Sequence, residues 1–335
     1  MAEMQDSTIP MMGWAEFAAW GRARAGADYE KNYYAMFSSV WGAITREPGL
    51  MTVPLDDHIV HRGDGIFETC KCTGWAVYNF EAHLGRLFEG ARELELRIPW
   101  AREEIKRICG AVLRAGGHGD ALLRILVSRG PGGHGANPYE CPAPQLYVLA
   151  KAASVPFMVA HPDGASVGIS RLPQKPGMFA RVKSVNYLPN ALMKKEAVDS
   201  GCDFMVGLDE AGFLTELPTE SLLVVTNDGV LAGPRPEHVL PGTTARRVMD
   251  LAREELAAGG ALAKLVREVR ECDLSPADAR EARELLVVGT TPNVAAATTF
   301  DGQPVGNGRP GPVQAALDAR LVADMHNPAR LWRVP

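Results

Sequence analysis

Lys183 stands in the run Arg181, Val182, Lys183, Ser184, Val185, Asn186, Tyr187, Leu188, Pro189, Asn190, at the head of a segment with helical spacing. A primary amine attacks carbonyl groups once it is deprotonated, and burial beside a cation lowers its pKa enough to permit that. A lone lysine in such a turn is ordinarily a solvated side chain. Its company argues for more. Upstream lies His83-Leu84-Gly85-Arg86-Leu87. Downstream come Leu214-Thr215-Glu216-Leu217-Pro218-Thr219-Glu220-Ser221, then Leu240-Pro241-Gly242-Thr243-Thr244-Ala245-Arg246, then Val288-Gly289-Thr290-Thr291-Pro292-Asn293-Val294. They supply a cation on a predicted helix, an acid beside a turn, and two Gly-Thr-Thr elements. The first of those opens a predicted helix, where free N–H groups and a threonine hydroxyl make a ready cradle for a phosphate.

Composition narrows what such residues could serve. The chain has 335 residues, 46% hydrophobic and 22% charged, which suits two globular domains. Its formal charge of -5 is dispersed, so no basic footprint for nucleic acid or an anionic membrane is expected, and a small-molecule substrate is. No apolar run is long enough to span a bilayer. Met1 to Met12 carries acids and Pro10 and does not read as a secretory signal. Six scattered cysteines then argue for reduced thiols in a cytoplasmic protein. Cys70-x-Cys72 lacks a second pair to complete a zinc site, and His58 and His61 read as loop polar residues. Arg62-Gly63-Asp64-Gly65 and Gly130-Pro131-Gly132-Gly133 lack the spacing of dinucleotide or Walker-type loops.

The elements that must position the candidates follow from periodicity. Trp14, Phe17 and Trp20 mark an amphipathic N-terminal arm that packs on the body or on a partner. Strands are expected over Tyr34 to Ile44 and Ile66 to Phe80, the second broken at Gly74, and over Ala121 to Ser128 and Gln145 to Ala150. Helices are expected over Glu81 to Leu94, which carries Arg86, and Glu103 to Arg114. Ser154 to Ala165 has the composition of a connection, giving a division into 1-153, an arm and a smaller α/β domain, and 154-335, a larger cofactor-binding domain. Beyond it, strands are expected over Phe204 to Leu208, Phe213 to Leu217 and Leu222 to Thr226. Helices are expected over Asn190 to Asp199, Thr244 to Ala258, Pro276 to Arg283 with Ser275 as N-cap, and Pro312 to Met325. Strands and helices come in clusters without strict alternation, which points to an α+β fold and away from a Rossmann sheet.

Taken in order, these motifs resemble the class IV aminotransferases, the fold type IV pyridoxal-phosphate enzymes, over roughly Tyr34 to Gly311. Tyr33 to Thr69, with Asp56-Asp57-His58 and Val60-His61-Arg62-Gly63, is most similar to the plant-type D-amino-acid aminotransferase branch, close to the aminodeoxychorismate lyases. The resemblance implies a two-domain α+β fold and pyridoxal 5'-phosphate. It makes Lys183 the Schiff-base lysine, Glu216 the partner of the pyridine nitrogen and Tyr187 that of the phenolic oxygen. Arg86, Thr243, Thr244, Thr290 and Thr291 become phosphate contacts. Arg62, Lys71 and Arg124 fall at positions that can hold the substrate carboxylate.

The implied activity is amino transfer between a small amino acid, D-configured by preference, and a 2-oxo acid, in a cytoplasmic homodimer. Aminodeoxychorismate lyase, branched-chain L-amino-acid aminotransferase and a non-catalytic binding relative are the alternatives. Two residues depart from the family pattern. Ser221 replaces the usual asparagine after the cofactor-facing glutamate, and Asn293 the usual glutamate after the Thr-containing turn. The Arg-x-His carboxylate trap of bacterial D-amino-acid aminotransferases has no counterpart, since Arg129-Gly130 runs into Pro131, Gly132, Gly133 and His134.

Overall fold

Alternation along one strand sets the architecture of the first half. In Gly65–Thr73, Ile66, Cys70 and Cys72 point into an apolar core, while Phe67, Thr69 and Lys71 take the opposite face. The computed structural model describes residues 10–24 and 26–335, so residues 1–9 of the stretch read as lacking a secretory signal lie outside the described residues. Seven strands form the first sheet, in the order Leu331–Arg333, Ala76–Tyr78, Gly65–Thr73, Ala121–Ser128, Gln145–Lys151, Tyr33–Ser38, Ala43–Thr45, all neighbours antiparallel. Helices Phe80–Glu93 and Arg102–Gly116 cover its core face through Leu84, Leu87, Ile105 and Val112. The other face looks toward the second half.

There a mixed sheet runs Glu268–Glu271, Val230–Gly233, Ser221–Val225, Glu284–Gly289, Asn293–Phe300, Ala165–Ile169, Phe204–Val206, with Gln303–Pro304 paired to Asn293–Phe300. Its central strands are apolar on both faces. Leu223, Val225, Leu286 and Val288 meet helices Thr243–Ala257 and Pro312–Asp324, and Leu222, Val224, Leu285 and Val287 meet a second core with Leu214 and Leu274. Such double burial explains why the segments read as continuous hydrophobic runs.

Phe213 to Leu217 departs from its expected strand. It forms only isolated bridges, Leu208 to Leu214 and Glu216 to Ser221, because the chain bends there into the loop Glu216 to Ser221. The expected division at 153/154 is crossed by strand Leu331–Arg333, which returns to the edge of the first sheet and pairs with Ala76–Tyr78. The arm is a helix, Trp14–Ala23, with no buried residue. Among the described residues no helix is long and apolar enough to cross a membrane.

A buried ionic cluster holds the crossing. Asp324 accepts from Arg247 Nε at 2.8 Å, Arg247 Nη2 at 2.7 Å and the Tyr78 hydroxyl at 2.6 Å, joining both large helices to the first sheet. Burial pushes the Asp324 carboxyl up, but the hydrogen bonds from Arg247 and Tyr78 outweigh it and bring it to about 2. A carboxyl depressed in the folded state contributes stability that is present above its ordinary 3.8 and lost as pH falls toward about 2. Replacing Asp324→Asn should therefore cost about 3 kcal/mol in urea denaturation at neutral pH, and much less near pH 2. A neutral-pH loss below about 1 kcal/mol would show that the cluster does not fasten the crossing.

Candidate active site

Between the open face of the first sheet and the loops of the second lies a cavity of about 340 Å³. Lys183 reaches it from a segment docked on the first sheet as an extra edge: Phe67 N–H donates to Lys183 O at 2.9 Å, Val185 N–H to Gly65 O at 2.9 Å, and Ser184 bridges Ile66. Tyr187, one residue before helix Leu188–Asp199, follows into the cavity. Glu216 arrives on the bent loop, held by Asn190 Nδ2 donating to Pro218 O at 2.7 Å. Arg86 comes from helix Phe80–Glu93 and Arg124 from the open face of strand Ala121–Ser128.

The electrostatics suit a nucleophilic amine. Burial lowers the Lys183 pKa from 10.5 to about 8, and the Arg86 charge adds to it against the opposing pull of Glu68 and Glu216. Lys183 Nζ keeps one hydrogen bond, to the Tyr187 hydroxyl at 3.3 Å, and sits 4.8 Å from the Phe67 ring centre. Burial raises the Tyr187 phenol, which stays protonated. Glu216 is buried without a short ion pair among the described residues. Its Oε2 accepts from Leu240 N–H at 3.1 Å, and burial raises its carboxyl against the pull of Lys175, whose Nζ lies 5.3 Å from the Tyr187 ring. Lys175 was not singled out by sequence, since a lysine between two prolines reads as loop.

Thr243 and Thr244 begin helix Thr243–Ala257, whose first intrahelical bond is made by Arg246 N–H to Gly242 O. The N–H groups of Thr243, Thr244 and Ala245 therefore have no acceptor within the helix, at the end where its dipole is positive. All three residues line the cavity. A Cβ at Gly242 would stand 2.5 Å from Ser221 Oγ, so any side chain there would have to displace that hydroxyl. Thr290 and Thr291 sit in the hairpin between Glu284–Gly289 and Asn293–Phe300, also on the cavity wall. A helix start and a hairpin turn thus present donors that could hold an anion.

The three carboxylate candidates separate. Arg124 lines the cavity, 4.7 Å from the Phe67 ring centre, with no hydrogen bond or ion pair among the described residues. Lys71 shares the face of Phe67 and Thr69 but lies one step beyond the cavity, where Nζ donates to Asn293 Oδ1 at 2.6 Å. The asparagine that departs from the family pattern is thus the acceptor for Lys71 and anchors the Thr290 turn, at φ +61°. Arg62 is exposed and spent on carbonyls, Nε to Gly135 O at 2.9 Å, Nη1 to His61 O at 2.8 Å and Nη2 to His134 O. Neither Arg62 nor Lys71 lines the cavity, which the structure forms from Arg124 and not from them.

Sequence reading missed Glu68. It lies on the core face of its strand, fully buried, and grips Arg86 through Nε and Nη2 at 2.7 Å each while His83 Nδ1 approaches at 2.7 Å. Burial pushes the Glu68 carboxyl up, yet the Arg86 charge and the bonds from Arg86 and His83 bring it down to about 2. Arg86 Nη1 then donates to Pro241 O at 3.1 Å, tying the cation to the cradle. The available signal was an acid at a core position of a strand followed by a helix with His83 and Arg86 one turn apart.

These charges predict how Lys183 titrates. Amine-selective labelling of Lys183 in cofactor-free protein should have its midpoint near pH 8. Glu68→Gln removes a charge that favours the protonated amine and should lower that midpoint; Arg86→Gln should raise it. A midpoint that stays near 10.5 in all three proteins would contradict the assignment.

Comparison with known proteins agrees with this architecture. Residues 65–300 match the family described as amino-transferase class IV. The D-amino-acid transaminase, chloroplastic, of Arabidopsis thaliana is 35% identical over 298 residues, 89% of this chain and 78% of that protein. A putative branched-chain-amino-acid aminotransferase of Methanocaldococcus jannaschii is 30% identical over 272 residues, 80% of this chain and 90% of that protein. The solved T.th. branched-chain amino acid aminotransferase, complexed with N-(5'-phosphopyridoxyl)-L-glutamate, matches with a TM-score of 0.80 at 26% identity, covering 90% of this chain and 99% of that one. The expected two-domain α+β fold of type IV is the fold observed. With the family match spanning most of its length and a relative 35% identical over nearly all of it, the chain belongs to the class IV aminotransferases.

Proposed function

We propose that this chain is a pyridoxal-phosphate-dependent transaminase with Lys183 as its cofactor lysine, exchanging an amino group between a small amino acid and a 2-oxo acid. One observation carries the reading: an amine that loses its proton near pH 8 shares a cavity with a buried carboxylate that has no ion pair among the described residues and with the free N–H groups of a helix start. Those three features match the aldehyde, ring nitrogen and phosphate of pyridoxal 5'-phosphate. When bound, the cofactor supplies an electron sink for the pair released at the substrate's α-carbon.

The chain's own residues do the rest. Lys183 Nζ, neutral in part at physiological pH, would carry the proton between the substrate's α-carbon and the cofactor's C4′ carbon. Tyr187, whose hydroxyl stays protonated, holds that amine by a single hydrogen bond and would donate toward the phenolic oxygen. Glu216 would keep the pyridine nitrogen protonated, a charge that also compensates its own burial. The free N–H groups of Thr243, Thr244 and Ala245, the hydroxyls on the two loops, and Arg86 would bind the phosphate. Arg124, the unpaired cation on the substrate side, would take a carboxylate.

A D-configured donor is favoured by the likeness to the Arabidopsis D-amino-acid transaminase, which exceeds the likeness to the Methanocaldococcus protein. The reading includes a homodimer in the cytoplasm, supported by six cysteines that are all free thiols and by Trp14 and Trp20 exposed on the N-terminal helix.

Purified protein should show a visible absorbance that borohydride bleaches, absent in Lys183→Ala. A panel of D- and L-amino acids and chiral amines, scored with 2-oxoglutarate and pyruvate, should give turnover with D-amino acids. No turnover with any donor would end the transaminase reading, and release of 4-aminobenzoate from aminodeoxychorismate would replace it with the lyase.

A further inference from the structure

Lys71 stands one step beyond the cavity and bridges its two walls. Its strand, Gly65–Thr73, is the one on which the Lys183 segment docks, while its Nζ reaches the second half and donates to Asn293 Oδ1 at 2.6 Å. Asn293 pairs with Gly289 to close the hairpin that carries Thr290 and Thr291, and it does so in the left-handed region, at φ +61°. The residue after it is fastened from the other side. Val294 N–H donates to Asp318 Oδ1 at 3.2 Å, and Gln314 Nε2 donates to Val294 O at 2.7 Å. Helix Pro312–Asp324 thus holds the foot of the turn from one direction, and Lys71 holds it from the opposite wall.

The bridge leaves a charge unanswered. Asn293 is a neutral acceptor standing where the family usually has glutamate, so it satisfies one N–H of the ammonium and none of its charge. Burial lowers the Lys71 pKa, and the acid that opposes this, Asp318, is already engaged by Val294 N–H. Lys71, Thr244, Thr290 and His83 share a void of about 10 Å³, which admits nothing larger than a water. The ammonium therefore stands directly behind a threonine from each of the two elements that offer donors to an anion. His83 and Tyr78, the other titratable side chains on that void, are bonded to Glu68 and Asp324.

We propose that Lys71 is a positioning residue for the cofactor phosphate: it tethers the Thr290 turn to the first sheet and, because its acceptor is neutral, lends positive charge to the back of the anion site. The proposal rests on the pyridoxal-phosphate reading for the identity of the anion and on the Lys71–Asn293 bridge for the rest. Lys71 lies outside the cavity and takes part in no covalent step.

Cofactor-free wild type, Lys71→Met, Lys71→Arg and Asn293→Asp are titrated with pyridoxal 5'-phosphate, with pyridoxal, which lacks the phosphate, and with inorganic phosphate. Lys71→Met should weaken pyridoxal 5'-phosphate about tenfold, the scale of one charge acting on a dianion through protein, and pyridoxal less than about twofold. Lys71→Arg should restore most of the loss. Asn293→Asp suits the left-handed backbone and keeps the hydrogen bond but answers the charge. It should weaken pyridoxal 5'-phosphate about threefold or more while amide hydrogen exchange over residues 289–294 stays at the wild-type rate, whereas Lys71→Met should speed that exchange. An equal loss for pyridoxal and its phosphate in Lys71→Met, or wild-type affinity for the phosphate in Asn293→Asp, overturns the charge assignment. Unchanged exchange in Lys71→Met overturns the tether. If wild type takes up no pyridoxal compound yet inorganic phosphate binds in a Lys71-dependent way, the transaminase reading fails and the role of Lys71 stands. If inorganic phosphate binds wild type and Lys71→Met alike, that role fails whatever the turnover.

Discussion

A carboxylate on the apolar face of a strand is the constraint from which the site is built. Glu68 takes the same face as Ile66 and Cys70, where an ionised group costs several kcal/mol unless it is fully paired. Pairing requires a two-toothed donor and a second one beside it, so Arg86 and His83 must fall one turn apart on the helix packed there. Burial lowers the His83 pKa, so the ring is neutral, with its proton on Nδ1 facing the carboxylate and its bare Nε2 3.4 Å from the Thr243 hydroxyl. One buried anion thereby fixes a guanidinium, an imidazole tautomer and the approach to a helix N-terminus in the other half of the protein.

The amine's chemistry depends on that arrangement at one remove. Arg86 held by Glu68 is a fixed positive charge near Lys183, whose own backbone is fixed by hydrogen bonds to Gly65 and Phe67, residues of the strand that carries Glu68. The cation that lowers the amine's pKa and the strand that positions the amine thus move together. Glu68 also moderates the effect, since its charge favours protonated Lys183 while Arg86 disfavours it. The result is a pKa near neutrality in place of one driven far below it, which suits a group that must both give and take a proton.

Much of this was legible in the chain because the signals were local. Strand Ala121–Ser128 has the expected bounds, helix Pro312–Asp324 ends within one residue of expectation, and Ser275 caps Pro276–Arg280 by accepting from Asp278 N–H. Lys183, Glu216, Arg86 and the four threonines, taken from motif order, line one cavity. What escaped was set by distance in space. Lys71 obeys the same alternation as Phe67 and Thr69, but nothing in sequence says where along a strand a cavity ends. Arg62 is consumed by carbonyls more than seventy residues away. Phe213 to Leu217 has strand propensity, yet a straight strand there would not bring Glu216 into the cavity, and tertiary placement overrides the preference.

The crossing strand Leu331–Arg333 and the Arg247–Asp324–Tyr78 cluster bear on how the two walls of the cavity are joined. The second half supplies the loops with Glu216, Thr243, Thr244 and the Thr290 turn, all anchored in a sheet buried on both faces. Such loops tolerate little change, because each begins or ends in a close-packed strand or helix. The open face of the first sheet is different. Its core side is filled by Leu123, Ile125, Val148 and Ala150, while the alternate residues Leu122, Arg124, Leu149 and Lys151 line the cavity. Alternation along two strands therefore places the core on one face of the sheet and the cavity wall on the other. The crossing keeps the two walls in register.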